Sequence, residues 1–196
     1  LFTLAVRREP LHINGSTAAG ALSVCLTGIL YTGATRYAGA GAAITLQYTS
    51  VAFVVLFSFL LFGERPKKAD LAACAAVLCG VALVFSGSFA AAGAFGCLLG
   101  LASGASYSLV FLCGRFKGAD AASAYLLGEA LCGAVGLPFF FAERTLVDLH
   151  TIEILLVLGV FQMGLSYLLL LKGLKTTPPL PASLLACAEP VLNPLW

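Results

Sequence analysis

Apolar stretches of about twenty residues recur from one end of this chain to the other, and no other feature limits its fold as much. Each is long enough to cross a hydrocarbon core about 30 Å thick at about 1.5 Å per helical residue. Lipid offers no partner to a bare N–H or C=O, so a spanning segment must bond its own backbone or close into a barrel. The stretches lack the period-two alternation of barrel strands, which predicts an all-α fold, a polytopic transmembrane helix bundle. Seven spans are expected, near 17–37, 40–62, 69–87, 92–114, 121–142, 152–173 and 178–196, and residues 1–6 read as the last turns of an earlier helix. The chain starts at Leu1 and stops at Trp196 within an apolar stretch, so it reads as a fragment of a longer protein. Composition points the same way: of 196 residues 60% are hydrophobic and 10% charged, against roughly 25% charged in a soluble domain. A water-soluble globular protein is excluded.

Charge is informative by position. The net charge of +2 forms no basic patch or tail, so nucleic acid is not an expected partner. Lysine and arginine mark loops that stay in the cytoplasm. Arg7 and Arg8, then Arg65, Lys67 and Lys68, then Arg115 and Lys117, then Lys172 and Lys175 fall in alternate loops, leaving Arg36 and Arg144 for the other side. The expectation is a multi-pass protein of the plasma or inner membrane with loops 7–16, 63–68, 115–120 and 172–177 cytoplasmic. The seven cysteines lie within apolar stretches without a Cys-x-x-Cys pair or a Cys/His cluster, so they read as small packing residues. Neither a metal nor another cofactor is expected.

Slid against itself, the chain shows a weak internal repeat. Residues 43–57 align with residues 182–196, and just upstream Gly28-Ile29-Leu30-Tyr31 resembles Gly164-Leu165-Ser166-Tyr167. Five spans separate a helix from its counterpart, so the copies would cross the membrane in opposite directions. Inverted repeats of this kind build many secondary transporters, with the substrate site at their interface near the midplane.

Two stretches carry a family resemblance. Leu46-Gln47-Tyr48-Thr49-Ser50 through Phe53, closing in Phe62-Gly63-Glu64-Arg65-Pro66, resembles the fourth helix and following loop of EamA-type transporters of the drug/metabolite transporter superfamily. Residues 159–167, followed by Ala188-Glu189-Pro190-Val191-Leu192-Asn193-Pro194-Leu195-Trp196, resemble that family's eighth and ninth helices, the Glu-Pro pair being the most specific part. The resemblance covers nearly the whole chain. It implies a ten-helix parent in two inverted repeats, of which residues 1–87 and 92–196 would be the truncated first and second, roughly helices 3 to 9. It also implies cytoplasmic loops after helices 2, 4, 6 and 8, which are the basic loops found from charge alone. Family members often carry a proline in helix 4 where this chain has Val51, which puts a proline kink there in doubt.

Ionisable groups at membrane depth cost about 2.5–3.5 kcal/mol on insertion scales, so each is a functional candidate. Glu189 and Glu129 qualify, each able to exchange a proton or pair with a cationic substrate, or else to fix helix packing. Asn193 and Trp196 share a helix face with Glu189, while Pro190 and Pro194 would kink that helix and free carbonyls. In the other copy Gln47, Tyr48 and Ser50 supply neutral polar groups for substrate contact or for bonding between helices. Gln162 and Tyr167 are further polar positions within spans. Gly96, Gly100 and Gly104 form a stripe for close helix packing, against an internal helix or a second subunit, which leaves a homodimer open.

The expected function is a transporter that moves small metabolites or drugs across the cell membrane by alternating access, as an exporter or proton-coupled carrier, with lipid as its surroundings. A seven-helix receptor or a channel without transport coupling is the alternative. An intramembrane enzyme is disfavoured, because both histidines lie in loops, Leu101 occupies the first glycine position of a Gly-x-Ser-Gly motif at Ser103-Gly104, and no His-Glu-x-x-His occurs.

Overall fold

The computed structural model describes residues 11–86, 93–142 and 148–188, and among them every regular element is helical. The expected helix end at 1–6 and the residues from Glu189 onward, with Pro190, Asn193, Pro194 and Trp196, lie outside the described residues. In chain order the helices are α1 (Gly15–Ala38), α2 (Ala40–Gln47), α3 (Ser50–Phe62), α4 (Lys68–Ser86), α5 (Ala94–Leu112) with a 3₁₀ turn at Cys113–Arg115, α6 (Ala121–Ala142), α7 (Leu149–Val157), α8 (Ser166–Leu174) and α9 (Pro179–Ala186). Asn14 caps α1 by accepting from the Thr17 amide at 2.8 Å, and Asp148 caps α7 through the Thr151 amide at 2.9 Å. Gly63, at φ +69°, ends α3 in the left-handed conformation that a glycine adopts without strain.

Among the described residues five stretches are long and apolar enough to cross a membrane: Gly15–Ala38, Ala40–Phe62, Ala94–Arg115, Ala121–Ala142 and Leu149–Leu174. Their outer faces carry exposed Leu22, Leu60, Phe139 and Leu156, the apolar surface that acyl chains cover. The interior is built on α5, which packs against α1, α2 and α3, while α6 packs on α1 and α9 reaches both α3 and α5. Glycine makes these crossings close. A Cβ added at Gly96 would stand 2.7 Å from the Ala38 amide nitrogen, one at Gly100 2.9 Å from Leu46, and one at Gly104 2.8 Å from Thr49 Oγ1. The glycine stripe therefore meets internal helices. On α6, a Cβ at Gly128 would lie 2.6 Å from the Ala21 carbonyl oxygen of α1.

Two expected spans are interrupted. The span at 40–62 breaks at Tyr48 and Thr49, where the bonding tightens from i−4 to i−3: Thr49 N to Leu46 O at 3.1 Å and Val51 N to Tyr48 O at 3.3 Å. No proline is needed, because Thr49 Oγ1 donates to the same Leu46 carbonyl at 2.5 Å and competes with the ordinary ladder. The span expected at 152–173 starts at Leu149, runs to Leu174, and widens into a π-helical segment over Leu158–Leu165. In the last span, α9 also closes on a tightened turn, with Cys187 N to Leu184 O at 3.1 Å and Ala188 N to Leu185 O at 3.0 Å.

One end of the bundle gathers the basic loops. The Arg115 guanidinium grips the Glu64 carboxylate with both nitrogens, Nη1 to Oε2 at 2.6 Å, and lies 4.5 Å over the Phe62 ring. Asn14 donates to the Gly118 carbonyl and Ser16 to the Lys117 carbonyl at 3.2 Å. Arg65, Lys67, Arg115 and Lys175 line one cleft. The loops at 11–16, 63–68, 115–120 and 172–177 thus lie together. The guanidinium hydrogen bond holds Glu64 below the usual carboxylate range.

Candidate functional site

Two polar groups lie inside the bundle. The first surrounds the break after α2. Gln47 ends α2 and donates from Nε2 to Ser103 Oγ of α5 at 2.9 Å. Tyr48 and Thr49 form the turn, and Ser50, buried at 3% exposure, opens α3. Gly104 lets this turn approach α5, since a Cβ there would meet the Leu46 and Gln47 carbonyl oxygens at 3.2 Å each. The arrangement offers amide, hydroxyl and carbonyl groups eight residues, or about 12 Å, inside the span.

The second group joins α5, α6 and α8. Tyr125 and Tyr167 stack with ring centroids 4.0 Å apart and planes at 16°. Tyr107 of α5 packs against this pair's cluster and against the neighbouring cluster of Val54, Phe111 and Ala182, so it stands between the two groups. Glu129, half-buried, lies one helical turn beyond Tyr125. A carboxyl beside aromatic faces can hold a proton or receive a cation. Among the described residues no three His, Cys, Asp or Glu side chains gather as a metal site needs.

Of the sequence candidates, the structure brings Gln47, Tyr48 and Ser50 together at one break and sets Glu129 and Tyr167 around Tyr125. Gln162 is exposed on the π segment and joins neither group. Glu189, Asn193 and Trp196 lie outside the described residues. Two participants were not singled out from sequence. Tyr125 carries a signal, its i,i+4 spacing to Glu129, whereas Ser103 is marked only by its place beside the glycine stripe.

The turn after α2 and the turn that closes α9 agree in register with the internal repeat. Helices α2 and α9 each have eight residues, ending at Gln47 and Ala186. In the alignment of 43–57 with 182–196 these two residues coincide, as do Tyr48 with Cys187 and Thr49 with Ala188. The hydrogen bonds coincide as well: Tyr48 N to Ile44 O at 3.2 Å matches Cys187 N to Ser183 O at 3.3 Å, and Thr49 N to Leu46 O matches Ala188 N to Leu185 O. Val54 of α3 meets Ala182 of α9 in one cluster. Each is five residues from its own turn, so the antiparallel helices bring the two turns to about the same depth.

An all-helical membrane bundle with a span broken at a buried polar turn fits a multi-pass protein of transporter class. The sequence profile of the EamA-like transporter family matches residues 3–86 and 94–196, and the chain belongs to that family of membrane transporters. No curated protein and no solved structure matches it.

Proposed function

We propose that this chain moves a small polar or amphipathic metabolite, or a drug, by alternating access, as an exporter or proton-coupled carrier. The observation that carries the reading is the break at Tyr48 and Thr49 inside the span Ala40–Phe62, with a turn of the same hydrogen-bond pattern at the equivalent residues Cys187 and Ala188 of the second copy. Rigid packing gains nothing from a break inside a span. A carrier that exchanges the roles of two inverted repeats needs equivalent joints in both. On this reading residues 1–87 and 92–196 are the two repeats, and the two matched segments of the family profile support that division. The basic end faces the cytoplasm of the cell membrane, following the distribution of lysine and arginine.

Gln47, Tyr48 and Ser50 contact substrate at the first break. Glu189, which follows the second turn in sequence, carries charge or a proton, with Asn193 and Trp196 beside it and Pro190 and Pro194 keeping the helix open. Glu129 with Tyr125 and Tyr167 is a second proton or cation position.

The test compares small molecules in cells and medium when the full-length protein, its Glu189→Gln variant or its Glu129→Gln variant is expressed at matched membrane levels. A metabolite redistributed by the parent, with its pH dependence lost in Glu189→Gln, is the expected result. No redistribution, or unchanged pH dependence in both variants, overturns the respective assignment. Orientation is tested separately in a cysteine-free background. Lys117→Cys and Thr176→Cys should resist an impermeant maleimide added to intact cells, and Ala40→Cys should react; the opposite pattern refutes the topology.

A further inference from the structure

Where α5, α6 and α8 meet at the basic end, a cleft of about 600 Å³ opens between them. Its lining has two chemically distinct parts. Arg115, Lys172 and Lys175 stand at one level; Asp120 is the acid of the lining, and Glu64 pairs with Arg115 from outside it. Phe111, Leu126, Leu168 and Leu171 form the rest of the wall.

Depth separates the two parts. The crossing stretches end at Arg115 and Leu174, so the three cations lie at the membrane–water boundary. Leu168 lies six residues before Leu174, about 9 Å deeper along the helix, and Phe111 is a turn inside Arg115. The apolar wall therefore continues into the hydrocarbon. Asp120 is engaged locally, its carboxylate accepting from Ser123 Oγ at 2.5 Å. Lys172 and Lys175 make no ion pair among the described residues.

We propose that this cleft binds an anionic phospholipid, with its phosphate between Lys172 and Lys175 and an acyl chain along Leu168, Leu171 and Leu126, while Arg115 at the rim stays paired with Glu64. A basic recess between helices at this level suits a lipid head group. The apolar wall selects a lipid over a free anion, because inorganic phosphate would leave that wall bare. The assignment stands on the membrane fold and does not depend on what the protein transports. Tyr125 also lines the cleft, so a lipid bound there lies beside the ring stacked on Tyr167.

The experiment measures lipid binding to the full-length protein in detergent by native mass spectrometry, adding phosphatidylglycerol, phosphatidylcholine of the same chains, or inorganic phosphate as competitor. Phosphatidylglycerol should be retained in preference to phosphatidylcholine, and millimolar phosphate should not displace it. Each lysine neutralised should cost about fivefold in affinity, so Lys172→Gln with Lys175→Gln should lose roughly 25-fold. Arg65→Gln with Lys67→Gln, in the neighbouring cleft, should leave binding unchanged. Equal retention of the two lipids, displacement by phosphate alone, or full binding by the double lysine variant would overturn the proposal. Failure of transport would not touch it, since the readout is the bound lipid.

Discussion

Replacing Gly128 by alanine adds one methyl group where α1 and α6 touch, and the cost can be worked from the contacts it would meet. The new carbon would lie 2.5 Å from the Val24 Cβ and 2.6 Å from the Ala21 carbonyl oxygen. A backbone oxygen and a branched Cβ cannot rotate aside, so the helices must separate. Overpacking of this kind costs about 1–3 kcal/mol. Alanine also gains roughly 1 kcal/mol over glycine in a helix, which would mask part of the loss. Gly133→Ala on the same helix removes that ambiguity, because nothing lies within 4 Å of a Cβ there. The propensity gain cancels between the two variants, and their difference is the crossing itself. With about 2–4 °C per kcal/mol for a chain of this size, Gly128→Ala should melt about 2–12 °C below Gly133→Ala in detergent. Fluorescence-detected size-exclusion chromatography after heating reads this directly. Equal midpoints would refute the close crossing of α1 and α6.

The Gln47–Ser103 bond should appear as a coupling of about 0.6–1.7 kcal/mol in a double-mutant cycle of Gln47→Leu and Ser103→Ala, read by the same melting assay. Additive effects would remove the contact between the first break and α5. The Glu64–Arg115 pair should show a pH signature. Arg115 lowers the Glu64 pKa, so the pair's stabilisation is present at neutral pH and is lost as pH falls below the ordinary value of 4.5 through the lowered one. Both side chains are partly exposed, which limits the effect to about 0.5 kcal/mol. Glu64→Gln should melt slightly below the parent at pH 7 and match it at strongly acidic pH, and a gap that widens on acidification would contradict the pairing.

The sequence made the spans legible because a membrane demands apolar length above all else, and the ends of α1, α5 and α6 fall close to the hydropathy boundaries. The grouping of the basic loops was equally readable, since Arg65, Arg115 and Lys175 follow a side-of-membrane rule that needs no packing detail. The break at Tyr48 and Thr49 was not. Neither proline nor glycine marks it, and it comes from a threonine hydroxyl competing for the Leu46 carbonyl beside Gly104, a contact made by another helix. The π segment over Leu158–Leu165 is hidden for the same reason, because one extra residue per turn leaves the apolar pattern unchanged. Within the candidate site, Glu129 stood out as a charge in lipid. Tyr125 is marked in sequence by its i,i+4 spacing to Glu129, whereas its stacking on Tyr167 follows from how α8 packs on α6.

The break also changes what α2 can do mechanically. An unbroken span from Ala40 to Phe62 would have to tilt as one rod and disturb every contact along α5. Divided at Tyr48, it becomes a short arm of eight residues on a separately seated shaft. The arm is about 12 Å long, so a tilt of about 15° swings its Ala40 tip by roughly 3 Å, about the width of a water molecule, while Val51 and Val54 stay fully buried in place. The arm joins α1 through Gly39, whose φ of +83° already makes a bend between α1 and α2.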